Sequence, residues 1–177
     1  MHPKVSVIIV NWNGEIFIER CLAALTAQSV KPYEIILLDN ASSDNSLEIV
    51  RRFPQVRLIT LNENSGFARG NNIAIKAASD KSEWVALLNP DAFVESLWLE
   101  ELLAAAKRNP VFDVFGSKLV NASHSNILDG VGDAYHTSGF AWRMKHGLPV
   151  SDNEAQEREV FSPCAAVALV TSRHNQD

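Results

Sequence analysis

The triplet Asn89-Pro90-Asp91 places two oxygen-bearing side chains directly after the apolar run of residues 84–88. Proline ends that run, because it cannot donate a hydrogen bond to a strand ladder. If the run is a buried strand, Asp91 lies at its carboxyl end, where open α/β sheets bind their ligands. A carboxylate there could hold a divalent cation against substrate phosphates. The alternative is an Asx turn that caps the following helix, and the triplet alone leaves both interpretations open.

Three further polar segments repeat this arrangement. Two of them follow apolar runs and the third opens a helical pattern; they are Asn11-Trp-Asn-Gly14, Asp39-Asn-Ala-Ser-Ser-Asp44 and Asn64-Ser-Gly-Phe-Ala-Arg-Gly-Asn71. Each could be an ordinary turn or helix cap. Strand ends share one edge in a doubly wound sheet, so the four segments can converge on one crevice, and we interpret their coincidence as a single site.

The residue types suggest roles at that site. Asp39 could accept hydrogen bonds from a nucleobase or a ribose. Backbone N–H groups near Gly66 could approach a ligand closely, because glycine has no Cβ. Arg69 could pair with a phosphate, or could be a solvated helix charge. The sequence has neither the P-loop pattern nor a Gly-x-Gly-x-x-Gly after the first strand, which disfavours P-loop NTPases and classical dinucleotide enzymes.

The elements that must position these segments alternate between strand and helix. The apolar runs with strand character are residues 5–10, 33–38, 56–61 and 84–88, and the helical patterns are residues 15–28, 42–52, about 72–78 and 96–108. The connections are short, so we predict an α/β fold with a mostly parallel sheet covered by helices on both faces. A fifth strand is expected within residues 111–120. Residues 161–171 could be strand or helix, and residues 121–153 have no assignable pattern.

Composition bounds the class of protein. The 177 residues suit one domain, and the net charge of −5 without a basic run makes nucleic acid an unsuitable partner. Cys21 and Cys164 are the only cysteines, so no disulfide framework or cysteine-rich zinc site is implied. The first apolar run is too short for a signal peptide or a membrane span, and we therefore expect a reducing, cytoplasmic setting.

The ordered set of motifs resembles family 2 glycosyltransferases with the Rossmann-like GT-A fold, closest to the bacterial rhamnosyltransferase-like members. The matching residues are Val5-Ser-Val-Ile-Ile-Val-Asn-Trp-Asn-Gly14, Ile35-Ile-Leu-Leu-Asp-Asn-Ala-Ser-Ser-Asp44, Asn64-Ser-Gly-Phe-Ala-Arg-Gly-Asn-Asn72 and Leu87-Leu-Asn-Pro-Asp-Ala92. Residues 161–169 resemble the acceptor-side strand of the family. The resemblance implies one incomplete GT-A domain over residues 1–177, with a donor-binding half at 1–120 and a partial acceptor-side region at 121–177.

The resemblance also implies an activity. A UDP- or dTDP-sugar would give its sugar to a hydroxyl of a glycan or lipid-linked acceptor, in cell-surface polysaccharide synthesis at the inner face of the membrane. Asp91 would bind Mg²⁺ or Mn²⁺ against the donor diphosphate. The residues expected to bind the nucleotide sugar are Val10, Asn11, Trp12, Asn13, Asp39, Asn40, Asn64, Gly66, Arg69, Asn72 and Asn89.

The sequence departs from the family pattern in one respect. Inverting members carry an acidic motif, usually Glu-Asp, beyond the acceptor-side strand, and it supplies the general base. This chain ends at Asp177 before such a motif, so the catalytic base is unassigned and a truncated donor half is expected. An apolar patch exposed by that truncation is expected to favour a homodimer.

Other titratable residues are weaker candidates for that base. The acidic residues of the charged stretch fit a solvated loop better, and the histidines are candidates by type only; these residues are Asp152, Glu154, Glu157, Glu159, His124, His136, His146 and His174. Two other functions remain open. A noncatalytic nucleotide-sugar-binding module is favoured by the missing motif. A nucleotidyltransferase is disfavoured, because residues 11–14 lack a glycine-rich basic loop.

Overall fold

The computed structural model describes residues 3–151 and 156–172 of the chain. Strands and helices alternate in its first part, in the order β1 (Val5–Asn11), α1 (Glu15–Thr26), β2 (Glu34–Asp39), α2 (Ser46–Arg51), β3 (Val56–Thr60), α3 (Phe67–Lys76), β4 (Trp84–Leu88) and α4 (Trp98–Arg108). Short strands follow, namely β5 (Val114–Gly116), β6 (Leu119–Val120), β7 (Leu128–Gly130), β8 (Asp133–Tyr135), β9 (Ala141–Arg143) and the longer β10 (Val167–Thr171). The predicted α/β class, with a mostly parallel sheet, is confirmed.

One six-stranded sheet organises the molecule, in the order β3-β2-β1-β4-β10-β5. Strands β1 to β4 are parallel, whereas β10 runs antiparallel between β4 and β5. The chain progresses outward from β1 to β3 in one direction and then returns to β4 on the other side of β1. That reversal places a topological switch point between β1 and β4, where the carboxyl ends of the strands can hold a ligand.

Apolar side chains alternate along β1 and fill both faces of the sheet. Val7 and Ile9 join the larger core formed with α1, α2 and α4, whereas Ile8 and Val10 join the smaller core beneath α3. Gly70 allows α3 to lie close to this strand, since a Cβ at that position would stand 2.9 Å from Cγ1 of Val10. The strand is buried on both faces, as its continuous run of β-branched residues predicts.

The structure corrects the predicted starts of two helices. Helix α2 begins at Ser46 and not at residue 42, because residues 42–44 form a turn that bonds to the segment after β1. Helix α3 begins at Phe67, so Arg69 and Asn72 lie on a helix and not in the polar loop before it.

The segment 111–120 is not one strand, as we had expected. Strand β5 ends at Gly116, where a Cβ would stand 2.4 Å from Cβ of Pro163, and the chain then turns away to form β6. Strand β6 pairs with β7, and β8 pairs with β9, so the unassigned residues form two small antiparallel pairs. The ambiguous segment 161–171 contains β10, a strand with Val167 to Leu169 buried.

No helix in the described part of the chain is long and apolar enough to cross a membrane. Apolar side chains are exposed beside the edge strand β5, at Val111, Phe112 and Val114. Phe112 and Val114 line a cavity of about 490 Å³ between α4, β5 and residues 156–163. The expected homodimer stays a prediction.

Candidate functional site

Asp39 lies at the end of β2 with almost no exposed surface, directly beside Asn11 at the end of β1. The side-chain amide of Asn11 donates to Asp39 Oδ1 at 3.1 Å, and the backbone N–H of Ser42 donates to Asp39 Oδ2 at 3.0 Å. Each carboxylate oxygen keeps a further lone pair after these bonds. The two strand ends therefore hold the Asp39 carboxylate in one orientation.

The turn after β1 is fastened to the turn after β2. The backbone N–H of Asn13 donates to the Ser42 hydroxyl at 2.9 Å, and Asn13 Oδ1 accepts from the N–H of Ser43 at 2.8 Å. Both turns contain a left-handed residue, with φ of 50° at Asn13 and 62° at Ala41. Such conformations cost energy outside glycine and persist where surrounding bonds hold them. Residues 11–13 and 39–43 thus form a single structural unit.

Asp44 ties α1 and α2 to this unit. Its carboxylate accepts from the backbone N–H groups of Glu15, at 2.9 Å, and of Ser46, at 3.0 Å. Partial desolvation raises the pKa of Asp44, but the nearby Ser46 hydroxyl and these two N–H groups outweigh it, so the pKa lies below its ordinary value. The carboxylate is therefore charged at neutral pH and stabilises the first turns of both helices.

Asn40 connects the same edge to the loop before α3. Its amide donates to Asn64 Oδ1 at 2.8 Å, and its oxygen accepts from the N–H of Ser65 at 2.8 Å. Asn64 Oδ1 also accepts from the N–H of Gly66, whose φ of 80° favours glycine. Asn40 is buried whereas Asn64 and Gly66 are exposed, so the bonds position a surface loop from a fixed anchor.

The triplet Asn89-Pro90-Asp91 begins one residue beyond β4, with Asn89 half-buried and Asp91 exposed. The thiol of Cys21 donates to the Asn89 carbonyl at 3.7 Å. Burial, and secondarily the charge of Asp91, raise the pKa of Cys21 to about 12. Cys21 is therefore a neutral thiol at physiological pH, and it supports the turn without offering a thiolate.

Gly14 brings the turn after β1 against this triplet. A Cβ on Gly14 would stand 2.2 Å from Asn11 Oδ1 and 3.6 Å from Cβ of Pro90. Asn11 is fully buried, and its Oδ1 has no hydrogen-bond partner among the described residues. The absence of a side chain at position 14 thus lets the turn after β1, which is bonded to the turn after β2, meet the triplet at the switch point between β1 and β4.

The oxygen chemistry of this corner suits a hard divalent cation. Asp91 provides one exposed carboxylate and Asn89 one amide oxygen, and no ion pair occupies Asp91 within the described residues. The described residues contain no cluster of three or more His, Cys, Asp or Glu that could hold a metal alone. A metal here would need a ligand, such as a diphosphate, to complete its coordination.

The remaining predicted site residues lie around this cluster. Val10 is buried at the base of the edge, whereas Trp12, with 57% of its surface exposed, lies on the turn above it. Arg69 lines a depression of about 410 Å³ together with Leu61, Asn62, Glu63, Ser65 and Ile73. Asn72 is exposed further along α3. None of these side chains contributes a hydrogen bond to the bonded cluster among the described residues, and their part in the site stays a prediction.

Sequence reasoning included Ser42, Asp44 and Gly14 in the segments expected to converge, but it did not name them as site residues or predict their contacts. Ser and Asp before a helix usually indicate a cap, and here the cap pattern hid longer-range bonds to Asn13 and Glu15. The left-handed residue at Asn13 was the available signal, since asparagine before glycine favours a positive φ.

The other titratable residues considered as a general base do not belong to the bonded cluster at the strand ends. His136 and His146 lie on or beside the small antiparallel pairs, bonded to Ser138 and to the Asp129 carbonyl, and His124 is exposed in the loop before β7. Glu157 pairs with Arg108 near the end of α4, and Glu159 is exposed. Asp152, Glu154 and His174 lie outside the described residues.

The comparisons with known proteins agree with this geometry. The family model described as Glycosyl transferase family 2 matches residues 6–146, which is well over half of the chain. The chain belongs to glycosyl transferase family 2. The expectation from the motifs is thereby confirmed, including the likeness to rhamnosyltransferase-like members.

Two relatives illustrate the family. EpsJ of Bacillus subtilis (strain 168), an uncharacterized glycosyltransferase, is 32% identical over 120 residues, which are 66% of this chain and 34% of EpsJ. An N-acetylglucosaminyl-diphospho-decaprenol L-rhamnosyltransferase of Mycobacterium tuberculosis (strain ATCC 25618 / H37Rv) is also 32% identical over 120 residues, covering 62% of this chain and 39% of the relative. The chain spans roughly a third to a half of the length of the curated relatives that it matches first.

Solved structures support the GT-A fold. Residues 1–349 of S. aureus TarS in complex with UDP-GlcNAc match with a TM-score of 0.61 and 28% identity, over 67% of this chain and 36% of TarS 1–349. The mannosyltransferase PcManGT from Pyrobaculum calidifontis, in complex with GDP-Man and Mn²⁺, matches with a TM-score of 0.60 and 25% identity, over 68% of this chain and 36% of PcManGT.

Proposed function

We propose that this chain binds a nucleotide-diphosphate sugar at the carboxyl edge of β1, β2 and β4, as the donor half of a glycosyltransferase. One observation carries the proposal: the buried amides of Asn11 and Asn40 tie the polar segments after β1 and β2 and before α3 together, and Gly14 brings the first of them against the triplet that holds the exposed carboxylate of Asp91. Polar residues held this rigidly at a switch point suit a ligand with both a nucleoside and a diphosphate.

Different residues of the chain would bind different parts of the donor. Asp39 would accept a hydrogen bond from the nucleoside, since its carboxylate is already oriented by Asn11 and Ser42. The loop at Asn64 to Gly66, held by Asn40, would close one side of the nucleotide pocket. Arg69 would offer a guanidinium to a phosphate from α3. We propose a UDP- or dTDP-sugar as the donor.

Asp91, with the Asn89 side chain, would hold Mg²⁺ or Mn²⁺ against the donor diphosphate. The bound cation would stabilise the charge of the departing nucleoside diphosphate. The complex of PcManGT with GDP-Man and Mn²⁺ supports the use of a divalent metal together with a nucleotide-sugar donor. Because Asp91 is the single carboxylate of the triplet, its removal should weaken the binding of nucleotide and metal together.

In the proposed reaction, an acceptor hydroxyl oxygen bonds to the anomeric carbon while the bond to the diphosphate breaks. The hydroxyl proton passes to a base that we do not assign. The acceptor would be a glycan or a lipid-linked sugar in cell-surface polysaccharide synthesis, reached from the inner face of the membrane. The name of the mycobacterial relative, which specifies a decaprenol-linked N-acetylglucosamine, supports an acceptor of this kind.

Calorimetric titration tests the donor site. UDP, dTDP and GDP are titrated with and without Mn²⁺ into the wild type, Asp91→Ala and Asp80→Ala. Asp80 is a matched control, since it is an exposed aspartate that precedes β4 at the opposite edge of the sheet. We expect one nucleotide to bind in a metal-dependent way, at least tenfold more weakly in Asp91→Ala and unchanged in Asp80→Ala. A folded wild type that binds none of the three would contradict the proposal.

A second candidate is a nucleotide-sugar-binding module that transfers nothing by itself. It is favoured by the engagement of Glu157, an acidic residue of the charged stretch, with Arg108 and Asn109 near the end of α4, since this carboxylate is already paired. Donor hydrolysis and sugar transfer, measured on a chain that binds nucleotide, separate the two functions. Binding without turnover, alone and with candidate partner proteins, would identify the module.

A further inference from the structure

Two exposed aromatic rings lie together where the β8–β9 pair meets the segment before β10. Tyr135 in β8 and Phe161 before β10 have ring centroids 5.9 Å apart and ring planes that differ by 18°. Tyr135 is 53% exposed and Phe161 is 74% exposed. Exposed rings this close together form an apolar surface that water solvates poorly, and such surfaces usually mark a contact with another molecule. We call this pair the aromatic plate.

Backbone hydrogen bonds connect the aromatic plate to the proposed donor site through the segment before β10. The backbone N–H of Asp133, two residues from Tyr135, donates to the carbonyl of Ser162 at 2.7 Å, which joins the strand pair β8–β9 to the segment before β10. The carbonyl of Ala166, in the same segment, accepts from the N–H of Asn89 at 2.8 Å. Phe161 and Ala166 are five positions apart, so at most roughly 18 Å of chain joins the plate to the residue that bonds to Asn89 after β4.

Asp129, Asp133 and Arg143 form a charged strip beside the plate. Arg143 shares a face of the β8–β9 pair with Tyr135, because residues two apart in the strand register point to the same side. Its guanidinium donates to Asp129 at 2.6 Å and to the sulfur of Cys164 at 3.4 Å, and it lies 3.8 Å from the carboxylate of Asp133. Two carboxylates and one guanidinium leave the strip with a net negative charge.

The aromatic rings and the negatively charged strip together favour some classes of ligand over others. A pyranose ring has one face of C–H groups, which pack on the electron-rich face of an aromatic ring, and a rim of hydroxyls, which bond to carboxylates and guanidinium groups. A phosphate or an anionic lipid surface would meet the negative strip unfavourably. An uncharged, hydroxylated ring therefore fits the surface better than an anionic ligand does.

Resting on the proposed function, we propose that the aromatic plate binds a neutral sugar ring of the acceptor, stacked on the outer face of the Tyr135–Phe161 pair with its hydroxyls towards Asp129, Asp133 and Arg143. The plate would hold the acceptor next to the donor edge. Its residues are positioning residues, because their rings would orient the acceptor without touching the reacting atoms.

Saturation-transfer NMR with simple sugars tests the plate. The probes are the methyl glycosides of glucose, galactose, rhamnose and N-acetylglucosamine, added to the whole chain. We expect at least one of them to bind the wild type, with an affinity roughly fivefold to tenfold lower in Phe161→Ala and in Tyr135→Ala, as the loss of one aromatic contact implies. Tyr135→Phe keeps the ring and should retain most of the affinity.

Tyr33→Ala is the matched control, since Tyr33 is an aromatic residue with 45% exposure that precedes β2 at the other edge of the sheet. It should bind the sugars as the wild type does. Nucleotide titration of the same variants should show unchanged affinity, so that failure of the plate and failure of the donor site give different results. All three positions are exposed, and melting curves check that each of the four variants folds.

Three results would overturn the proposal. The first is a wild type that binds none of the glycosides at millimolar concentration. The second is equal sugar affinity in the wild type and both alanine variants. The third is unchanged sugar affinity together with a loss, in Phe161→Ala, of binding to phosphatidylcholine vesicles or of dimerisation in sedimentation experiments, which would assign the surface to a membrane or to a second copy.

Discussion

The parallel part of the sheet and the small strand pairs after it are built on different principles. All seven residues of β1 are buried, and its neighbours β2 and β4 are buried along most of their length. Strands β6 to β9 have two or three residues each, and every residue of β9 is exposed. The first region is stabilised by apolar burial on two faces. The second buries few apolar side chains, Leu128 among them, and depends more on backbone hydrogen bonds and on the contacts of Arg143.

This difference separates stability from recognition. The proposed donor edge consists of the carboxyl ends of β1, β2 and β4, which are buried strands. Asp39 and Asn40 are therefore fixed by the same packing that forms the core. The strand pairs expose aromatic side chains at Tyr135, Phe140 and Trp142, which the core does not use. We infer that the parallel region sets how the donor is held, whereas the strand pairs can vary to suit an acceptor.

The largest predicted effect is the loss of core packing in the parallel region. Leu22 of α1 is fully buried against the sheet, so Leu22→Ala should lower the free energy of unfolding by about 3 kcal/mol. Leu148→Ala, at a leucine with 53% exposure beside the strand pairs, should cost less than about 0.5 kcal/mol. Urea denaturation measures both. Equal losses would mean that the two regions do not differ as described.

A smaller effect is expected where the segments of the donor edge meet. Gly14→Ala would bring a Cβ to 2.2 Å from Asn11 Oδ1, in a side chain already tied to Asp39 and Ser42. The required shift should cost about 2 kcal/mol of stability and reduce nucleotide affinity roughly tenfold. Denaturation and calorimetry measure the two losses.

Gly139→Ala is the control in the strand pairs. No atom lies within 4 Å of a Cβ there, and only its φ of 92° opposes the change. It should cost about 1 kcal/mol through backbone strain and leave nucleotide binding unchanged. If Gly14→Ala bound nucleotide as well as Gly139→Ala does, the tight contact at Asn11 would not matter for the donor.

The smallest effect concerns pH. The pKa of Asp44 is lower in the folded chain than its ordinary value, so its carboxylate contributes stability that is fully present above the unfolded pKa. That contribution is lost as the pH falls through the folded pKa. Asp44→Asn should cost about 1 kcal/mol at pH 7, where it loses one charged hydrogen bond, and the gap from the wild type should close below pH 4. Thermal melts between pH 3 and pH 7 measure it, and a gap independent of pH would contradict this role.

Much of the parallel region could be predicted because its signals are local. A β-branched run such as residues 5–10 indicates a buried strand, and the proline and lysine at residues 31–32 indicate the end of a helix. The positions of Asn11 and Asp39 at neighbouring strand ends follow from the alternation of elements. The family motifs fixed the order of these segments but not their hydrogen bonds.

The rest depends on contacts between distant residues. The local sequence indicates a helix cap at Ser42, yet its hydroxyl accepts hydrogen bonds from Asn11 and Asn13, about thirty positions earlier. The fifth strand stops at Gly116 because Pro163 lies against it, which no local pattern shows. Strands of three residues carry too few side chains to establish a period, so β7 to β9 could not be recognised from sequence.

We propose that the donor binds at the edge of the parallel sheet and not on the strand pairs. Hydrogen–deuterium exchange with UDP, dTDP and GDP, each with Mn²⁺, tests this location on the intact chain. We expect the nucleotide that binds to slow exchange in residues 11–14, 40–44, 64–70 and 89–92, and to leave exchange in residues 128–150 unchanged. Protection confined to residues 128–150, or a bound nucleotide that protects neither region, would contradict it.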